Sequence, residues 1–133
     1  MSNAAPGWEK YPDHRVDISP FGGSVVVKLE TDSGETVIAE SQAALLLEES
    51  RHANAYYLPL ADIDADVLTP TETSTYCPFK GHASYWSVKT NGGEAVDALW
   101  AYQTPYDECE PLIGYGAFYT SKVAVYVDGE RLP

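Results

Sequence analysis

Apolar residues recur at alternate positions over short stretches of this chain, and no stretch sustains the 3.6-residue period of a long amphipathic helix. Residues 25–30 therefore read as a strand, Thr31-Asp32-Ser33-Gly34 as a turn whose glycine takes positive φ, and 36–39 as the returning strand. Ser41 has the form of an N-cap ahead of good helix formers, which predicts a short helix over 42–49. Leu45-Leu46-Leu47 suits a buried strand equally well. Residues 54–58 form the next strand around Tyr56-Tyr57-Leu58, stopped by Pro59, and 61–66 read as an exposed turn or a single helical turn.

The clearest pattern is a hairpin, with 82–90 and 94–102 flanking Asn91-Gly92-Gly93. A two-residue loop would pair Lys89 with Glu94 but set Asp97 opposite Trp86. A three-residue loop places Trp86, Val88, Val96, Ala98 and Trp100 on one face, and that register is the expected one. It puts Ser84, His82 and Tyr102 at one end of the tryptophan face. Thr104-Pro105 opens a short helix that Pro111 limits, and 114–119 and 122–127 are two further strands.

The sum is a mainly β chain: a single-domain sandwich or partly open barrel of seven or eight short antiparallel strands with one or two short helices. Residues 24–128 form the β-rich domain. Residues 1–23 are an irregular lead-in, parts of which Trp8, Tyr11, Ile18 and Phe21 pin to the body, and 129–133 are a tail.

Charge narrows the partners. Twenty acidic residues against eight basic ones give a net charge of −12, too few cations for a nucleic-acid polymer or an anionic membrane surface. With 44% apolar and 12% aromatic residues the chain is nonetheless a folding one. No run of about 18 apolar residues predicts a membrane span. The first ten residues lack the layout of a secretory signal, so the expected location is cytoplasmic. Two cysteines, Cys77 and Cys109, rule out a four-thiolate zinc site within one chain; a disulfide between them is compatible with the sequence, and nothing requires it.

Candidate chemistry concentrates in Tyr76-Cys77-Pro78-Phe79-Lys80-Gly81-His82. Pro78 and Gly81 suit a tight turn that presents the Cys77 thiol and the Lys80 amine at one strand edge. A nearby cation favours thiolate, which makes Cys77 a candidate nucleophile, Lys80 its charged neighbour and His82 a proton carrier. The plainer reading is a buried cysteine and a solvated lysine. His14, His52 and His82 have no ligand spacing, so no metal is expected. Asp62, Asp64 and Asp66 lack the glycine and terminal glutamate of a calcium loop, and Glu48-Glu49, Glu108 and Glu110 read as solvated faces. No glycine-rich phosphate loop occurs. Tyr57, Tyr85, Trp86, Trp100 and Tyr102 border the turn and are the candidate ligand-binding walls.

Taken in order, Ala39 to Ser41, Tyr56-Tyr57-Leu58-Pro59, Cys77-Pro78-Phe79-Lys80-Gly81 with Ala83, Tyr85 and Trp86, Ala98 to Tyr102 with Pro105, and Ala117-Phe118-Tyr119 resemble Domain of Unknown Function family 427 over about residues 24–128. That family also carries a nucleotidyltransferase-like label and has no settled activity. The resemblance implies a small β-rich domain similar to the β-tent group, with Cys77, Lys80 and Gly81 on the most recognisable motif and Tyr57, Tyr85, Trp86, Trp100 and Tyr102 on its aromatic positions. The zinc pairs of the β-tent relatives are absent. Asp97, where the family commonly has an amide, and Pro111 depart from the pattern.

The leading expectation is a soluble small-ligand-binding domain with an aromatic-lined cleft beside the Cys77–Gly81 turn. It would take an uncharged or cationic ligand: Lys80 donates, Trp86 and Trp100 form walls, and Tyr102 or His82 makes a polar contact. The sequence names no cofactor. One alternative is a group-transfer enzyme using Cys77 or Lys80, and another is a module that meets a second protein through a strand edge or aromatic patch.

Overall fold

A computed structural model describes residues 3–133. Among these residues eleven strands form two antiparallel sheets. In chain order the strands are β1 (Val16–Pro20), β2 (Val25–Thr31), β3 (Gly34–Ser41), β4 (Leu45–Glu49), β5 (Ala55–Pro59), β6 (Leu68–Cys77), β7 (Gly81–Thr90), β8 (Gly93–Ala101), β9 (Tyr115–Phe118), β10 (Ala124–Val127) and β11 (Glu130–Arg131). The larger sheet runs β1-β4-β5-β9-β8-β7-β6 and the smaller β11-β10-β2-β3, so the architecture is a sandwich of unequal layers, with no closed barrel among the described residues.

The first hairpin forms as its pattern predicts, with Gly34 at φ 124° closing the turn between β2 and β3. The turn expected over 61–66 appears as 3₁₀ segments at Leu60–Asp62 and Ala65–Val67, and the short helix expected to open at Thr104-Pro105 is a 3₁₀ segment at Asp107–Leu112, after Tyr106. Four elements differ from expectation. The helix expected over 42–49 is β4, because the leucine run lies between two partner strands: Leu47 pairs with Ile18 of β1 and Ala55 of β5. The lead-in carries a helical turn, α1 (Gly7–Lys10), and β1, an edge strand; its residues 1 and 2 lie outside the described residues. Strand β6, rich in Thr and interrupted by Pro70, has almost no apolar alternation to announce it.

The fourth difference is the hairpin register. Asn91 and Gly92 make a two-residue loop, with Lys89 opposite Glu94, yet Asp97 does not face Trp86. A bulge absorbs the conflict: Asp97 takes a left-handed conformation at φ 53°, and its amide donates to Ser87 Oγ at 3.0 Å. Its two carboxylate oxygens accept hydrogen bonds from Thr71 and Thr73, each at 2.6 Å. These bonds hold the carboxyl below its ordinary range. Beyond the bulge Tyr85 opposes Trp100 and Trp86 opposes Leu99, so the two tryptophans lie on opposite faces. Val96, expected beside them, is exposed.

The core follows from this register. Val25, Val27 and Leu29 of β2 and Ile38 of β3 pack against Leu58, Val88, Leu99 and Phe118 of the larger sheet, with Trp86 at the margin. Each completely buried Val, Leu or Ile stabilises the fold by about 1.5–3 kcal/mol. The other face of the larger sheet is apolar too, with Leu47, Tyr57, Ala83, Tyr85, Tyr102 and Ala117, and among the described residues no second sheet covers it. Cys109 and Leu112 of the 3₁₀ segment Asp107–Leu112 cover only part of it.

Candidate functional site

Register carries aromatic side chains across that outer face. Leu45 pairs with Tyr57, Tyr85 with Trp100 and Trp100 with Ala117, and Leu58 opposite Gly116 aligns Tyr57 with Ala117. One row therefore crosses five strands. Directly opposed residues point to the same side of a sheet, which makes the row a continuous wall.

At one end of the row the Cys77–Gly81 turn folds over the face. Gly81 at φ 114° reverses the chain into β7, and the Lys80 carbonyl accepts from the Tyr106 amide at 3.0 Å. Lys80 is thereby directed inward. It is 8% exposed and pairs with the carboxylate of Glu49, at the end of β4. The second Glu49 oxygen lies 2.8 Å from His14 Nε2, while His52 Nδ1 is 4.0 Å away. Burial pushes the Glu49 carboxyl up, but hydrogen bonds from Lys80 and His14 and the Lys80 charge outweigh it and hold the group below its ordinary value. An ionised carboxylate only accepts, so His14 Nε2 carries the shared proton. The Lys80 charge, expected to act on the Cys77 thiol or to lie in solvent, is thus neutralised internally by Glu49.

The lead-in completes this end. The Gly7 amide donates to the Pro78 carbonyl at 3.0 Å, and the Phe79 ring stacks on His14 at 3.8 Å and meets the edge of Trp8 at 4.8 Å. Gly7 is required there because an added Cβ would lie 2.6 Å from the Phe79 ring.

The row and the turn line part of a cavity of about 690 Å³. Tyr57, Cys77, Lys80, Tyr85, Trp100 and Tyr102 line it, joined by Glu49, His14, His52 and Tyr119; Val27, Leu58, Phe118, Val125 and Leu132 of the core between the sheets line it too, so it reaches both faces of the larger sheet. Trp100 Nε1 donates to the Tyr57 hydroxyl at 3.0 Å, and Tyr85 links through its hydroxyl to Thr75 at 2.9 Å and Tyr119 at 3.0 Å. Burial pushes the Tyr57, Tyr102 and Tyr119 phenols up, so they stay protonated across the neutral range.

Two expected site residues stand elsewhere. His82 is exposed, on the opposite side of β7 from Ala83 and Tyr85, with its ring 4.8 Å from that of Tyr76. Alternation along the strand separates it from Cys77, so the two do not form a nucleophile and base. Trp86 faces the sandwich core for the same reason. Cys109 and Cys77 are both free; Cys109 is buried, which pushes its thiol up to about 11, and its Sγ donates to the Phe79 carbonyl at 3.6 Å.

Glu49, expected as part of a solvated face, is buried instead, and it lines the cavity with His14 and His52, which were considered from sequence only as metal ligands. For Glu49 a signal existed: as a strand, Leu45, Leu47 and Glu49 fall on one face, and that face is apolar. Among the described residues no group of three or more His, Cys, Asp or Glu is placed to hold a metal ion, and no helix is long and apolar enough to cross a membrane.

A β-sandwich whose larger sheet has one covered face and one aromatic, partly open face defines the class of protein. The chain belongs to the family described as Domain of unknown function (DUF427), whose model matches residues 17–129. No curated protein matches it.

Proposed function

We propose that this chain is a small-ligand-binding domain whose site is the part of the cavity on the outer face of the larger sheet, beside the Cys77–Gly81 turn. The observation that carries the reading is the cavity itself. It holds about 690 Å³ in all, part of it against a wall of Tyr57, Tyr85, Trp100 and Tyr102 with the Lys80–Glu49 pair among its lining, and part reaching the inner face at Leu58 and Phe118. Small-molecule sites fall at roughly 300–1,000 Å³ and combine apolar walls with a few polar groups, as here.

A thermal-shift screen of metabolites against the whole chain tests this. A ligand at 100 times its Kd should add about 2.7 kcal/mol to the folded state. Hits should be lost in Trp100→Ala and kept in Trp86→Phe, whose side chain belongs to the other face. Hits that survive Trp100→Ala, or vanish equally in both variants, would place binding elsewhere.

The group-transfer alternative draws on one observation, that Cys77 and Lys80 line the same cavity. It requires that a hit be chemically consumed and that Cys77→Ser abolish turnover while binding persists.

A further inference from the structure

A second cavity, of about 600 Å³, adjoins the first across His14, His52 and Phe79, which line both. The lead-in supplies one side of it with Lys10, and the β4–β5 loop another with Arg51. In a chain of net charge −12 this wall is a cationic exception. Among the described residues its lining sets Lys10 and Arg51 against one carboxylate, Asp13, whereas the charges lining the first cavity, Lys80 and Glu49, cancel.

Neither cation is engaged within the fold. Of the eight Lys and Arg, only Lys10, Arg51 and Lys89 form no ion pair and no side-chain hydrogen bond among the described residues, and two of those three line this cavity. Arg51 moreover sits at φ 65°, a left-handed backbone that glycine takes without strain. A side chain strains the turn there, and this one returns no hydrogen bond or ion pair to the fold.

The histidines are a second, independent feature. His52 Nδ1 lies 2.8 Å from the Ser50 carbonyl, which only accepts, so that nitrogen carries the proton and Nε2 is free. His14 is fixed in the opposite sense: Nε2 donates to Glu49, and Nδ1 has no partner among the described residues. That nitrogen is not sealed in, since no enclosed side-chain polar atom among those residues lacks a partner. Each imidazole thus holds one proton toward the protein and keeps one basic nitrogen for what lies outside.

The two cations select an anion, and the two basic nitrogens select one that brings a proton. An imidazole nitrogen stabilises a neighbouring anion only when it is itself protonated. A phosphate group loses its last proton at about pH 6 and can pass it to an imidazole near neutrality, whereas a sulfonate or carboxylate is already fully ionised. Its three terminal oxygens also accept from more of these groups than the two of a carboxylate.

We infer that the second cavity is a phosphate site, in which Lys10 and Arg51 hold the charge and His14 and His52 take up the proton. It is separate from the outer-face site and does not rest on the small-ligand reading of that one.

Inorganic phosphate, phenyl phosphate and benzenesulfonate, titrated into the intact chain, test the assignment while the imidazole C–H resonances of His14 and His52 are followed by NMR. Both phosphates should move both histidines and leave the Trp100 indole N–H in place, and benzenesulfonate should bind about fivefold or more weakly than phenyl phosphate. Tighter binding of phenyl phosphate than of the free ion identifies an ester as the ligand form, equal binding identifies the free ion, and either supports the site. Lys10→Gln and Arg51→Gly should each weaken phosphate about fivefold. The second keeps its fold by thermal melt, because glycine takes φ 65° freely. Lys89→Gln removes a charge outside the cavity and should leave binding unchanged. No response to either phosphate overturns the assignment, as do benzenesulfonate binding as tightly as phenyl phosphate, a Lys89→Gln loss equal to the other two, and a response that also moves Trp100 and survives both cavity variants.

Discussion

Glu49 and Lys80 lie 31 residues apart in the chain and form a buried ion pair, with side chains 4% and 10% exposed. Two charges withdrawn from water repay their desolvation only while both are present. The pair therefore fastens the Cys77–Gly81 turn to the end of β4 and sets the shape of the cavity.

Removing one partner should cost more than removing both. Lys80→Met or Glu49→Gln alone is expected to destabilise the fold by about 3–5 kcal/mol, because the remaining charge is left buried without its partner. The double variant Lys80→Met, Glu49→Leu should recover much of that loss. Urea denaturation of the four proteins measures it, and additive single losses would show the pair to be uncoupled.

Acid should erase the Glu49 contribution. Its carboxyl is held below the ordinary value of 4.5 in the fold, so the stability it adds is fully present above that value and lost as pH falls through the lower folded one. The gap between wild type and Glu49→Gln should be largest near neutrality and shrink as pH falls below 4.5. A gap that stays constant to pH 2.5 would contradict the shift.

The two cysteines should differ in reactivity. Cys109 is buried with its thiol pushed up to about 11, whereas Cys77 is half-buried on the cavity wall. Only the thiolate attacks a disulfide reagent. At pH 8 the native protein should consume one equivalent through Cys77, and the second only on unfolding. Two equivalents in the native state would show that Cys109 is accessible.

Glycine at position 7 should be intolerant of a methyl group. Gly7→Ala drives a Cβ to 2.6 Å from Phe79, and overpacking of this kind costs about 1–3 kcal/mol. Gly22→Ala, with nothing within 4 Å of the added carbon, is the matched control and should be near neutral. Equal thermal shifts for the two variants would mean that the lead-in does not bear on the turn.

The same residues explain what could be read in advance. Turn chemistry is local, so Gly34 announces itself and Asn91-Gly92-Gly93 marks a second hairpin, but the three-residue loop expected there is a two-residue one, Asn91-Gly92. The longer loop was expected so as to keep Asp97 away from Trp86, whereas a bulge does this: Asp97 adopts a left-handed conformation stabilised by Thr71 and Thr73 from another strand. Trp86 was therefore expected on the wrong face. Cys77, Lys80, Tyr57, Tyr85, Trp100 and Tyr102 share one cavity, as their clustering suggested. Glu48-Glu49 was expected to be a solvated face, but adjacent strand residues face opposite ways, so Glu48 is exposed while the Glu49 side chain is buried.

By itself the sequence determined the mainly β character, the turns and the aromatic motif around Cys77 to Gly81, all of which follow from nearest-neighbour preferences. Only the tertiary structure decided which face each tryptophan occupies, where the Lys80 charge goes, and that one face of the larger sheet remains partly open. Strand order, register and burial are set by contacts between residues tens of positions apart. A buried charge finds its partner across the sheet, where no local pattern records it.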